Sequence, residues 1–448
     1  MSAMLETLTA ALLDAARKAG ADAADAIAVD GTSVSIDVRG GILEQAERAE
    51  GIEIGLRVLI GQRQACVSAS DTSAATLATM AERAVAMARE APADPTTGLA
   101  DPDQLARHWD LAALQLDDPT PEPSPAELEA DARRAEAAAL AVKGISKVDS
   151  AGAGYGRRAV HLAASNGFAG GYARSSRATS CVAITGSGTA MERDYYGDHR
   201  VYQADLADPA EIGRIAAERT IARAGARKPK TGSFPVLYDE RVAASLIGHL
   251  LSAVNGTSIA RGSSWLRDGL GTQVLPAALS VIEDPHRPRT TASRPFDAEG
   301  LPTARRAIVQ NGILTGWTLD LATARKLGMA STASASRGPS APPSPSTSNI
   351  ALTLGDASRD DLLAAMGTGL LITSMIGSSI NPTTGDYSRG ASGFWVERGE
   401  ITYPVNECTV AGNLRDMLRH LTPANDARAH LSTVVPSLLV EGLTLAGD

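Results

Sequence analysis

From Ile52 to Ile60 every second residue is a large aliphatic: Ile52, Ile54, Leu56, Val58 and Ile60. A period of two over nine residues commits this stretch to a β-strand with one face in a core. Its neighbours define the local fold. Leu5, Leu8, Leu12, Ala15 and Ala19 share one helical face ahead of Gly20, and Val34, Ile36 and Val38 alternate before a Gly40-Gly41 turn. Gly61 sends the chain back through Ala65, Val67 and Ala69, and Leu77, Met80, Ala84 and Met87 stand at helical spacing. An N-terminal α/β two-layer domain is predicted over residues 1–115.

A chain of 448 residues has room for two to four domains. The acidic, proline-rich stretch 117–125 reads as a linker. After it come a capped helix from Ser124 to Ala141, strand-like runs at Val148–Tyr155, Ala159–Ala163 and Ala178–Ile184 with an Asn166-Gly167 turn, and a helix from Pro209 to Ala224. These predict a central α+β domain over 116–228. The charged segment Arg227–Gly232 opens a larger C-terminal mixed α/β domain, 229–448, with a strand at Phe234–Tyr238 and a helix from Glu240 to Val254. Strands are expected there around Gly393–Val396, Ile401–Val405 and Ser437–Leu445. Residues 331–349 are small and polar, unsuited to a core, and read as a lid or a mobile loop. The fold class is α+β.

Composition removes several functions. Lys plus Arg total 42 against 51 Asp plus Glu, a net charge of −9, and only 4% of residues are aromatic. A nucleic-acid binder would carry a basic surface, so that partner is excluded. The run Leu362–Gly385 is uncharged over most of its length but too rich in Gly, Ser, Thr and Asn for hydrocarbon, so no membrane partner is expected. Cys66, Cys181 and Cys408 are odd in number and far apart, which suits a reducing cytoplasm. The first residues lack the basic and apolar pattern of a secretory signal.

Familiar catalytic motifs are missing. No two of the seven His stand three to five residues apart, so no helix presents a zinc-binding His pair, and His249 reads as a half-buried core histidine. The nearest approach to GxSxG, at Gly390–Phe394 around Ser392, lacks its last glycine. The Gly152–Gly156 run is followed by strand-like text rather than a helix, which disfavours a dinucleotide site. Two features remain. Phe296–Gly300 puts Asp297 and Glu299 in a turn, and Gly377–Trp395 strings polar side chains between glycines. Asp386, Tyr387, Arg389 and Ser392 in the second, with Asp297 and Glu299 in the first, are the candidate substrate-binding residues. Gly377–Trp395 reads as a loop lining a cavity or as a chain of tight turns, and within the loop Gly385–Gly393 Asp386 and Arg389 either pair with each other or with peptide termini, or brace the turn into the strand at Gly393–Val396.

The runs FDAEGLPTARRAIVQNGILTGW, SNIALTLG, GSSINPTTGDYSRGASGFWVERGEITYPVNECTVAGNL and, near the N-terminus, GIEIGLRVLIGQRQACVSASD resemble the TldD/PmbA family, on the PmbA (TldE) branch, over nearly the whole chain. The resemblance implies a cytoplasmic peptidase system once described as a modulator of DNA gyrase, with C-terminal domains enclosing a shared cavity. In it a TldD-type subunit carries zinc on an HExxxH helix with a cysteine from its C-terminal region. That subunit pairs with a TldE-type one to degrade unfolded or extended peptides and to trim leader peptides.

This sequence departs from the zinc motif. The corresponding helix reads VAASLIGHLLSAV, with Ile247, Gly248 and Ser252 where His, Glu and His would stand, and Ala424–Val440 has no cysteine. The expectation is therefore a chain with no catalytic residues, metal or cofactor of its own, and zinc on a TldD-type partner. It would form a heterodimer with that paralogue, or a homodimer alone. The alternatives are a stand-alone hydrolase with an unrecognised site and a homodimeric peptide-binding scaffold.

Overall fold

The computed structural model describes residues 3–447, apart from the Ser378 side chain. Its first layer is a six-stranded antiparallel sheet. Helix α1 (Ala3–Ala19) leads into β1 (Ala23–Arg39), β2 (Ile42–Ile60), β3 (Arg63–Ala69) and α2 (Ala74–Glu90). A short α3 (Leu111–Leu114) and α4 (Pro125–Leu140) precede β4 (Ile145–Ala164), β5 (Ala169–Thr185), β6 (Glu192–Arg200) and α5 (Pro209–Ala222). The strand order is β3-β2-β1-β4-β5-β6, so β1 pairs with β4 across 14 residue pairs, Asp25↔Ala164 to Val38↔Ala151. The proline-rich stretch 117–125 thus crosses one continuous sheet rather than separating two.

The sequence patterns explain these elements. Ser124 and Glu127 form a reciprocal capping box that starts α4. Even-numbered residues of β1 all face one side: Ala24, Ala26 and Ala28 under α1 and α2, then Val34, Ile36 and Val38 under α4. Farther along that side, α4 and α5 cover Val148, Ala151, Cys181 and Ala183. On the other side Ile27, Val29 and Leu162 meet Phe168 and Phe296, the latter brought in from the third segment. Beyond that contact lies a hollow of about 710 Å³, lined by small or charged residues such as Gly31, Ser33, Gly156 and Arg158 and closed by Thr290 and Thr291.

The third segment begins with β7 (Gly232–Tyr238), α6 (Glu240–Ala253) and α7 (Gly256–Ala260). Strands β8 (Val281–Glu283), β9 (Arg306–Gln310) and β10 (Ile313–Leu314) are followed by α8 (Leu321–Leu327), the pair β11 (Ala335–Ser336) and β12 (Ser344–Pro345), and β13 (Ile350–Leu352). Next come α9 (Arg359–Met366), β14 (Gly369–Ile380), β15 (Asp386–Glu397), β16 (Glu400–Asn413), α10 (Leu414–Arg419), β17 (Leu421–Pro423), β18 (Thr433–Val434) and β19 (Leu438–Ala446). Strands β16-β15-β14-β7-β19 lie in that order, and β16 also pairs with β19, which closes them into a five-stranded barrel. Trp395, Tyr238, Leu246, Ile247 and Leu250 are fully buried in one core shared by the barrel and α6. A buried aliphatic of this kind contributes about 1.5–3 kcal/mol.

Two expectations are corrected. Residues 331–349 do pack: Ser334 and Ala335 are 1% exposed, and Asn349 is fully buried. The segment lies as a strap against the first sheet so closely that a Cβ on Gly55 would sit 2.1 Å from the Pro339 carbonyl oxygen. From it Arg337, with a fully buried side chain, reaches Asp25 of β1. Likewise Gly385–Gly393 is not a loop, because β15 starts at Asp386. Its glycines permit close strand contact: a Cβ on Gly393 would lie 1.9 Å from the Leu371 carbonyl oxygen, and one on Gly390 would lie 2.6 Å from Ile376 Cγ2.

Candidate functional site

Helix α6 packs into the core of the barrel, and one of the candidate residues, Tyr387, lies against it. Asp239 caps α6 by accepting from the Arg241 amide at 3.2 Å, which sets the helix directly after β7. Apolar residues Ala243, Leu246, Ile247 and Leu250 anchor its inner face. Ile247 points into the core, whereas Gly248 is half-buried and Ser252 exposed. His249 stacks edge-on against Tyr387 of β15, ring centroids 5.9 Å apart, and its Nε2 is buried without a partner. Burial first, then the Arg389 charge, lower the His249 pKa, so the imidazole is neutral at pH 7.

The β15 candidates point in different directions. Tyr387 is 2% exposed, and its hydroxyl donates to Met375 Sδ at 3.7 Å, so it belongs to the wall and offers no face to a ligand. Burial raises the pKa values of Tyr387 and, farther, of its neighbour Tyr238. Asp386 and Arg389 do not pair with each other. Asp386 accepts from Thr384 at 2.6 Å and Asn413 at 3.0 Å, bracing the turn into β15, while Arg389 Nε donates to the Gly377 carbonyl at 2.8 Å. Ser392 Oγ accepts from Arg223 at 3.0 Å, a link from the barrel to the end of α5.

Asp297 and Glu299 lie elsewhere, where the first sheet meets the third segment. Asp297 is 1% exposed and accepts from the amides of Glu299, Leu301 and Ala335 at 2.9, 3.0 and 3.1 Å, so its oxygens shape the turn and the strap. Glu299 is half-buried near Asp25 and Arg57 and accepts from the Leu321 amide at 2.8 Å. Burial, reinforced by the Asp297 charge, pushes the Glu299 carboxyl well above the usual range. Arg57 and Arg337, which flank Asp25, carry no local sequence signal, because the three residues are brought together only by the fold.

A raised carboxyl pKa destabilises the fold once the unfolded chain would ionise. The penalty is absent below the ordinary glutamate value near 4.3 and grows as pH rises towards the folded value. Glu299→Gln keeps an acceptor for the Leu321 amide. The variant should melt with wild type at pH 4 and at a higher temperature at pH 8. Thermal melts across that range check this, and a lower melting temperature at pH 8 would contradict it.

Beyond Ile372, β14 pairs with β15 alone, so the other edge of Ser374–Ile380 carries no strand. Ile376 is 77% exposed beside it. The donor set does not suit zinc, since α6 supplies one imidazole and the Cys408 thiol is buried in β16, its pKa pushed up to about 11. Among the described residues no three His, Cys, Asp or Glu are gathered to hold a metal ion, and no helix is long and apolar enough to cross a membrane.

A helix-covered antiparallel sheet joined to a small closed barrel is the architecture of one peptidase-related class, the PmbA/TldD metallopeptidase family, and the chain belongs to it. Residues 24–88, 118–224 and 231–447 match the family's PmbA/TldA metallopeptidase domain 1, central domain and C-terminal domain, respectively. Metalloprotease PmbA of Escherichia coli O157:H7 is 37% identical over 95% of this chain and 93% of its own length. A PmbA homologue from Haemophilus influenzae is 37% identical over 97% and 94%. Among solved structures, a Bacteroides thetaiotaomicron protein labelled a modulator of DNA gyrase superposes with TM-score 0.91 at 26% identity, covering 99% of both chains. TldE from Thermococcus kodakarensis shares the fold, with TM-score 0.86 at 19% identity over 98% of this chain and all of its own.

Proposed function

We propose that this chain is the zinc-less subunit of a TldD/TldE-type metallopeptidase complex acting in the cytoplasm on unfolded or extended peptides, including leader peptides. The observation that carries this reading is the donor set around α6: one neutral, half-buried His249, an inert buried thiol, and outward positions filled by Gly248 and Ser252. A peptidase must polarise a carbonyl as well as activate water; His249 is a lone imidazole with its Nε2 buried, no electrophile stands beside it, and the Cys408 thiol stays protonated. In the complex the TldD-type paralogue supplies zinc. This chain supplies a wall of the shared cavity and an extended-peptide site along the free edge of β14, where main-chain hydrogen bonds give affinity regardless of sequence. Alone, the chain pairs with itself, and it exchanges into the heterodimer when the paralogue is present.

Metal analysis tests this directly. After mild dialysis the purified chain should hold far less than one zinc per protein. Zinc retained at one per chain would overturn the reading.

A further inference from the structure

A pocket of about 340 Å³ lies where the 262–274 segment, the tip of the β14–β15 hairpin and α10 meet. Three guanidinium groups line it, from Arg267, Arg415 and Arg419, against a single carboxylate, Asp268. Their charges are little used. Arg267 approaches Asp268 at 3.4 Å with both side chains well exposed, and Arg419 commits only Nε, to the Gln273 carbonyl at 3.1 Å. The Arg415 guanidinium has no hydrogen-bond or ion-pair partner among the described residues. Arg415 and Arg419 stand four apart on one helix, so both reach the same side. Trp265, 4% exposed, forms the floor beneath the arginines, held by its own amide, which donates to the Pro382 carbonyl at 2.7 Å, and by Gly385 packed on its ring. Thr383 adds a hydroxyl from the hairpin.

We propose that this pocket binds an organic carboxylate: one oxyanion held by the arginine forks, on a body of amino-acid size that fills the remaining volume. Guanidinium groups match a carboxylate in bidentate geometry, and two uncompensated positive charges favour an anion over a neutral or cationic ligand. Size excludes a bare ion as the natural occupant, because a lone phosphate would leave most of the volume empty, whereas pockets for small organic ligands begin near 300 Å³. Two sources share this chemistry, a free N-acylated amino acid and the C-terminus of a peptide.

The test is titration of the full-length protein, followed by calorimetry or NMR, with N-acetyl-leucine, N-acetyl-leucinamide, the peptide acid acetyl-Ala-Ala-Leu and inorganic phosphate. N-acetyl-leucine should bind saturably and its amide at least tenfold more weakly. Arg415→Gln and, on a different element, Arg267→Gln should each weaken the acid by about tenfold at unchanged melting temperature, since both side chains are exposed. Tighter binding of the peptide acid than of N-acetyl-leucine identifies a peptide terminus as the source, and equal or weaker binding identifies the free acid. Equal affinity for acid and amide, full affinity in both variants, or binding of phosphate without the acids would overturn the proposal.

Discussion

Replacing Asp25 by Ala should destabilise the protein by about 3–5 kcal/mol. Asp25 Oδ2 accepts from Arg57 Nε at 2.6 Å and lies 2.5 Å from Arg57 Nη2, while Oδ1 meets Arg337 from the strap. All three side chains are at most 5% exposed. Burial alone would raise the Asp25 pKa, but the two guanidinium groups override it and hold the carboxyl below its ordinary value. Without the carboxylate two cations are left buried, and Arg337 Nη2 already lacks a partner. Because the folded pKa is depressed, this stabilisation is present above about pH 4, the ordinary aspartate range, and is lost as pH falls through the folded value. The gap between wild type and variant should therefore be wide at pH 7 and close under strong acid. Thermal melts read it, and a variant matching wild type at pH 7 would show that the strap is held by packing alone.

Arg389→Ala should lower peptide turnover by the assembled complex about tenfold, the equivalent of one charge-assisted contact of about 1.4 kcal/mol. Arg389 is half-exposed on β15, next to the paired edge of β14, and only its Nε is engaged, by the Gly377 carbonyl. Its remaining N–H groups have no hydrogen-bond partner among the described residues, which leaves them for a peptide carbonyl or terminus. The hydrogen bond to Gly377 is partly solvent-exposed, so melting temperature should change little. Turnover per folded heterodimer, measured beside a melt, separates the two roles. A lower melting temperature with undiminished turnover would reduce Arg389 to a brace for the hairpin.

Strong local patterns made much of the fold legible. The alternation at Ile52–Ile60, the capping box at Ser124 and the Asn166-Gly167 turn all appear where the sequence puts them. Local patterns fail where packing is long-range. The first half of β2, residues 42–51, is exposed and carries no alternating signal, yet it is held by its partner β1. The glycines of β4 and β15 resemble loop text, but at Gly393 the missing Cβ lets neighbouring strands touch. The strap at 331–349 has few apolar residues and is fixed instead by Arg337 and by contact with Gly55, whose partners are some 300 positions away in sequence. For the same reason the sequence grouping of the candidate residues dissolves in the fold: Tyr387 packs on His249 of α6, whereas Asp297 and Glu299 serve the junction of sheet and strap.

The central claim is that the chain contributes to peptide cleavage without performing it. Turnover of an unfolded peptide should be measured for this chain alone, for a TldD-type paralogue alone, and for their mixture at equal concentrations. This chain alone should show no cleavage, and the mixture should cleave faster than the paralogue. Cleavage by this chain alone at the rate of the mixture would contradict it.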